Sequence, residues 1–164
     1  MLVRHAKSDW HARKEDFERP LNKRGAEDAR RMGKYIQEQG LVPDCMVVSG
    51  AKRAKETAQL MLDAFSPRND NVIYDKELYL ADRETLLEII QLYARDKQRL
   101  LVLAHNPGMD DLVSYISSEP PALSESGKLM VTCAVAGISF DQVTDVGKKG
   151  GGKLQFLLRP KEIF

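Results

Sequence analysis

Few residues of this chain have side chains suited to chemistry, and they lie far apart: Arg4-His5, Arg53 and His105-Asn106. A guanidinium carries a fixed positive charge and a planar fork of donors that matches an oxyanion. A neutral imidazole is a nucleophile, and its unperturbed pKa of about 6.5 lies close to working pH. Two of each, gathered in one place, would make a site for a phosphate, with the imidazoles pointing into it. Such a site asks mainly for positioning and charge neutralisation, with no metal and no cofactor. Guanidinium neighbours also disfavour a second positive charge, which biases His5 toward its neutral form. Taken singly, each residue has a plainer role. Arg4 fits a salt bridge at a strand end, Arg53 an exposed basic helix face in Lys52-Arg53-Ala54-Lys55, and His105 a core histidine satisfied by backbone. What separates the two readings is where each residue falls in its element.

Leu2-Val3-Arg4 reads as a short strand and His5 follows it directly. Residues 6–21 are polar, with Trp10, Phe17 and Pro20, and suit a long functional loop. Asn22 can cap a helix running to about Gln39, with Ala26, Ala29, Met32, Ile36 and Tyr35 on one face and Gly40 at its end. Cys45–Val48 is a continuous apolar run of the kind buried on both faces of a sheet. Ser49 is placed to cap the next helix, whose stripe is Ala54, Ala58, Met61, Leu62 and Phe65 and whose first turn holds Arg53. Val72–Tyr74 is a third strand, and residues 83–95 form a helix with Leu86, Leu87, Ile90 and Tyr93 inward. Leu100–Ala104 is the clearest strand, and His105 follows it directly. Asn106 can cap the helix behind, and Pro107 suits its first position. Pro120-Pro121 breaks that helix, and Leu129–Ala136, Gly137–Phe140 and Lys153–Leu158 read as strands.

Strand–helix alternation followed by hairpin-like strands predicts one domain over residues 1–164. Its class is α/β, a three-layer α/β/α architecture with a mostly parallel central sheet and an antiparallel addition. In such a sheet His5, Arg53 and His105 share the carboxyl edge, where ligands bind. Helix N-termini at Ser49 and Asn106 would add N–H donors there.

The bulk numbers bound the partners. The 164 residues carry a net charge of +1, with 43% hydrophobic and 30% charged residues, which suits a globular protein and gives no electrostatic case for nucleic acid or membrane. No signal-peptide-like stretch is visible, so the expectation is a cytoplasmic monomer. Cys45 and Cys133 lie in apolar runs and read as buried, reduced thiols. Three histidines without metal-ligand spacing argue against a protein-built metal site.

Four blocks together resemble the histidine phosphatase (phosphoglycerate-mutase-like) superfamily. They are Arg4-His5-Ala6-Lys7-Ser8-Asp9-Trp10, Pro20-Leu21-Asn22-Lys23-Arg24-Gly25, Ser49-Gly50-Ala51-Lys52-Arg53-Ala54-Lys55-Glu56-Thr57-Ala58 and Val102-Leu103-Ala104-His105-Asn106-Pro107. Their order is that of the superfamily; the last third carries no comparable signature. The short length and the Arg-His-Ala-Lys-Ser form resemble the SixA-type phosphohistidine phosphatases in particular. The resemblance implies that His5 takes the phosphoryl group as a phosphohistidine intermediate, that Arg4, Arg53 and His105 hold its oxygens, and that water then releases phosphate. Ser8 and Asn106 join them as phosphate or substrate contacts. Glu77 lies near the place where larger relatives keep a general acid, with Asp9 and Asp82 as alternatives. The implied partner is a phosphohistidine protein or a small phosphorylated molecule.

Departures and rivals sharpen the expectation. Gly50 replaces a proline, and Ala6 replaces a glycine, so the backbone after His5 must tolerate a Cβ. His11 stands where mutase-like members often have Asn, which speaks against a sugar-phosphate mutase; the residue itself reads as a loop residue or pocket rim rather than a catalyst. Gly147–Lys153 has P-loop spacing, but Leu154 replaces the required Ser or Thr and the run precedes a strand, so it reads as a hairpin turn. The remaining alternatives are a phosphatase for small phosphate esters and a phosphate-pocket binding protein without turnover. No long insertion between residues 54 and 105 offers a substrate lid.

Overall fold

The computed structural model describes residues 1–65 and 71–164. Its order is β1 (Leu2–Arg4), α1 (Lys23–Glu38), β2 (Cys45–Ser49), α2 (Lys52–Leu62), β3 (Val72–Asp75), α3 (Arg83–Tyr93), β4 (Leu100–Ala104), α4 (Gly108–Ile116), β5 (Val135–Ser139), β6 (Lys153–Leu158) and α5 (Pro160–Ile163). One six-stranded sheet has the spatial order β3-β2-β4-β1-β5-β6. The first four strands in that order are mutually parallel, and β5 and β6 add antiparallel. This is the mostly parallel sheet with an antiparallel addition that the alternating pattern predicts.

The layers follow from strand alternation. Val3, Met46, Val48, Leu101 and Leu103 point to one face, where Ala29, Met32 and Ile36 of α1 and Ala54, Ala58 and Met61 of α2 bury them. Leu2, Val47, Val102 and Ala104 point to the other, against Leu86, Ile89 and Ile90 of α3 and Met109, Leu112 and Val113 of α4. The central strands are covered on both sides, which is why they read as unbroken apolar runs. Cys45 and Cys133 are free and buried. No helix among the described residues is long and apolar enough to cross a membrane.

Asn22 caps α1 as its sequence predicts, its Oδ1 accepting from the Gly25 N–H at 2.8 Å. Gly33 lets α1 and α2 pack closely, since a Cβ there would lie 2.7 Å from Met61 Cα and 2.8 Å from Met61 O. The Gly147–Lys153 run connects β5 to β6 and leads into a strand, not a helix.

Three local expectations are corrected. Leu129–Ala134 is not a strand; only Val135–Ser139 of the C-terminal apolar stretch before β6 pairs, as the single strand β5. Leu129, Met130, Cys133 and Ala134 are buried without a ladder, because the Cys133 N–H reaches the Arg4 and His5 carbonyls and the Met130 carbonyl serves side chains. Ser49 is the last residue of β2 and does not cap α2; Ala51 holds that position without a side-chain cap. Asn106 likewise does not cap α4, whose N-cap is Pro107. On α3 Leu86 and Ile90 are buried and Leu87 and Tyr93 pack, partly covered, against the same core as expected, with Ile89 buried beside them.

Candidate active site

The register of the sheet builds the centre of the site. β1 pairs with β4 so that Arg4 lies opposite Ala104. The next residue of each strand is a histidine, and His5 N–H donates to the Ala104 carbonyl at 3.1 Å. The two imidazoles therefore leave the sheet side by side, with ring centroids 4.9 Å apart. β2 pairs with β4 through Val48 and Leu103, one residue before Ser49 and Ala104. Ser49 Oγ consequently reaches His105 Nε2 at 2.7 Å.

Arg53 enters from the first turn of α2 and is 2% exposed. Its Nε donates to His5 Nε2 at 3.2 Å, and its Nη2 to His105 Nδ1 at 3.2 Å. One guanidinium edge thus faces both rings. One turn later Thr57 Oγ1 donates to the Arg53 carbonyl at 2.6 Å and accepts from the Ala6 N–H at 3.0 Å, bolting the end of β1 to α2. Ala6 is itself fully buried in the α1/α2 core, so its Cβ is packed rather than merely tolerated. Arg4 Nη1 donates to the Met130 carbonyl at 2.8 Å, while its buried Nε has no hydrogen-bond partner among the described residues.

Hydrogen bonding assigns both tautomers. The Ala6 carbonyl can only accept, so His5 Nδ1, at 2.7 Å from it, carries the proton. His5 Nε2 is then a bare lone pair receiving the Arg53 Nε–H. Arginine can only donate, so His105 Nδ1 is unprotonated and its Nε2–H donates to Ser49 Oγ. Electrostatics agrees with two neutral rings. Burial lowers the His5 pKa to about 3, against the Ala6 hydrogen bond and helped by Arg53, Arg4 and Arg19. Burial also lowers His105 to about 3, helped by His5 and Arg53.

The predicted residues divide clearly. Arg4, His5, Arg53 and His105 come together as one cluster. Asn106 lies beside it, its Nδ2 donating to the same Met130 carbonyl that Arg4 uses. Ser8 is buried and its Oγ accepts from Arg19 Nε at 3.2 Å. Glu77 is exposed on a short 3-10 turn, Lys76–Leu78, and its carboxylate makes no hydrogen bond or ion pair among the described residues. Asp82 caps α3 by accepting from Thr85 N–H, and Asp9 accepts from His11 N–H.

Three participants are missed by the sequence reading. Asp16, in the loop after β1, takes Arg53 Nη1 on its carbonyl at 2.6 Å and Arg53 Nη2 on Oδ2 at 2.9 Å. Tyr79 OH donates to the same Oδ2 at 2.7 Å and sets its ring edge-on to His105. Thr57 had a usable signal, lying four residues after Arg53 on one helix face; Asp16 and Tyr79 sit in loops without periodicity.

Known proteins resemble this chain in sequence and in fold. The model of the histidine phosphatase superfamily (branch 1) matches residues 1–79. An uncharacterized protein of Mycobacterium tuberculosis (strain H37Rv) is 32% identical over 117 residues, covering 71% of this chain and 70% of that protein. The chain superposes on the protein histidine phosphatase SixA complexed with tungstate at a TM-score of 0.80, with 22% identity over 99% of this chain and 97% of that one. A SixA phosphohistidine phosphatase candidate from Agrobacterium tumefaciens gives a TM-score of 0.78 and 26% identity over 97% and 96%. The chain belongs to the histidine phosphatase superfamily, with a phosphoglycerate-mutase-like fold; together with its likeness to the SixA structure from Agrobacterium tumefaciens, this indicates a hydrolase acting on phosphate.

Proposed function

We propose that this chain is a SixA-type phosphohistidine phosphatase that carries its phosphoryl group on Nε2 of His5. The observation that supports it most is the His5 tautomer. With Nδ1–H held by the Ala6 carbonyl, the lone pair of Nε2 lies beside the Arg53 guanidinium, where a bound phosphoryl group would meet it.

In this reading a phosphoryl oxygen replaces His5 Nε2 as the acceptor for Arg53 Nε–H, which frees the lone pair. His5 Nε2 bonds to phosphorus as the P–N bond of the substrate breaks, and that electron pair leaves with the substrate imidazole. The phosphorylated ring of His5 becomes cationic, and its Nδ1–H stays on the Ala6 carbonyl, which offsets the new charge. Arg4 and Arg53 neutralise the equatorial oxygens. His105, whose Nε2–H is on Ser49 and whose Nδ1 is a bare acceptor, donates to an oxygen only once Nδ1 has taken a proton, which the bound anion favours. Water then attacks phosphorus, the P–Nε2 bond breaks, and His5 returns to its neutral form with inorganic phosphate released. Ser8 and Asn106 stand at the margin of this pocket as further contacts.

A leaving imidazole that already carries a proton makes little demand on an acid. The exposed Glu77 would supply one where an alkoxide has to leave. The partner in this reading is a phosphoprotein, and the near-complete mutual coverage with the SixA-type structures supports a site without an added lid. The test compares kcat/KM on a histidine-phosphorylated protein and on phosphoramidate with that on a panel of phosphate monoesters. Preference for the P–N substrates is expected. Preference for one small ester, lost in Glu77→Gln, would replace this reading with a small-molecule phosphatase.

A further inference from the structure

Arg53 is held on two sides at once. Its Nε and Nη2 face the His5 and His105 nitrogens, and its Nη1 and Nη2 face Asp16. A guanidinium presents its donors on distinct edges of one plane, so a partner that fixes one edge fixes the direction of the other. Resting on the reading of His5 as phosphoryl acceptor, we propose that Asp16 is a positioning residue of this site. It grips the outer edge of Arg53, through both carbonyl and carboxylate, and so aims Nε and Nη2 at the phosphoryl group.

The loop around Asp16 is built to hold that grip. Arg19 N–H donates to the Asp16 carbonyl at 3.3 Å, and Arg19 Nη2 pairs with Asp16 Oδ1 at 2.7 Å. Tyr79 OH donates to Oδ2, so both carboxylate oxygens are engaged. The neighbouring Phe17 carbonyl accepts the Lys52 N–H at 2.9 Å, and the Phe17 ring packs edge-on against Tyr79 with centroids 4.9 Å apart. The loop is thus tied to the first residue of α2, one position before Arg53. Arg19 stacks in turn over Trp10, 3.7 Å from the ring centroid, and its Nε holds Ser8.

The chemistry needs such a device. Arg53 is a long side chain on a helix, 2% exposed, with two neutral rings on one edge. A buried cation without a counterion is costly, and an unfixed guanidinium would have to be ordered at each turnover. Asp16 supplies the counterion and the orientation together. Its charge also sits on the far edge, so a phosphoryl group arriving at the histidine edge meets donors and not a carboxylate.

The test uses Asp16→Asn, Asp16→Glu and Tyr79→Phe in the full chain. Each is checked for folding by circular dichroism and followed in two readouts: steady-state kinetics, and binding of vanadate and of inorganic phosphate by calorimetry. Asp16→Asn should lower kcat by about tenfold to a hundredfold, the range that misplacing a catalytic group produces, with KM changed by less than about threefold. It should weaken vanadate, a mimic of the five-coordinate transition state, more than phosphate. Tyr79→Phe should do the same to a smaller degree, and its effect should shrink in the Asp16→Asn background. Unchanged kcat in a folded Asp16→Asn, or tighter vanadate binding, would overturn the proposal, because the carboxylate would then be idle or an internal competitor for the anion. If Asp16→Asn does not fold, Asp16→Glu and Tyr79→Phe carry the same readouts, and the same outcomes support or overturn the proposal. If wild-type protein binds anions but forms no phosphoenzyme, the reading of His5 fails while vanadate binding still reports on Asp16.

Discussion

His5 Nε2 accepts from Arg53 Nε at 3.2 Å, so the lone pair suited to attack phosphorus faces the cation suited to hold the phosphate. In the proposed reaction a phosphoryl oxygen entering between them would take the Arg53 donor and uncover the nucleophile in one step. Ground-state binding and activation of His5 would then be the same exchange of hydrogen bonds.

The first prediction concerns the rings themselves. Nitrogen NMR of the free protein should find His5 as the Nδ1–H tautomer and His105 as the Nε2–H tautomer, both neutral from pH 8 down to about pH 5, since burial lowers each pKa to about 3. A ring that gains a proton near its ordinary pKa of about 6.5 would mean that it is not held as described.

Those lowered values also set a stability slope. Between about 6.5, the unfolded value, and about 3, the folded value, the unfolded chain binds more protons at His5 and His105 than the native one. Stability must then fall as pH drops through that window and level off below it. Urea unfolding at a series of pH values should show a shallower slope between pH 4 and 6 in His105→Gln, by up to about 1.4 kcal/mol per pH unit. An identical slope in the variant would show that His105 takes up its proton as readily in the native state.

Gly33 tests the packing of α1 on α2. Alanine raises helix propensity by up to about 1 kcal/mol, but its Cβ would fall 2.7 Å from the Met61 backbone. Gly33→Ala is expected to destabilise by about 1–3 kcal/mol, as overpacking does, measured by urea unfolding. A neutral or stabilising result would mean that the two helices stand farther apart.

The heart of the site is legible in the sequence because strands ending at Arg4 and Ala104 place their next residues side by side. Apolar runs that stop at a histidine are visible without coordinates, and parallel pairing does the rest. The departure at Leu129–Ala134 has a physical origin: apolar residues signal burial, whereas strand formation needs ladder partners, and the backbone groups at Met130 and Cys133 serve Arg4 and His5 instead. Ser49 has the residue type of a helix cap, yet its hydroxyl is taken by His105. Asp16 and Tyr79 leave no trace in the pattern, since loop residues meet through tertiary path and not through period. Glu77 shows the converse, a loop carboxylate found by position whose surroundings hold no partner among the described residues.

The most direct test of the account is single-turnover labelling. Wild-type protein mixed with a ³²P-phosphohistidine protein and quenched in base should carry label that survives alkali and is lost in acid, as a phosphohistidine does. His5→Ala should carry none and should not turn over, while Glu77→Gln should still be labelled. Label or turnover that persists in His5→Ala would contradict the central claim that the phosphoryl group passes through His5.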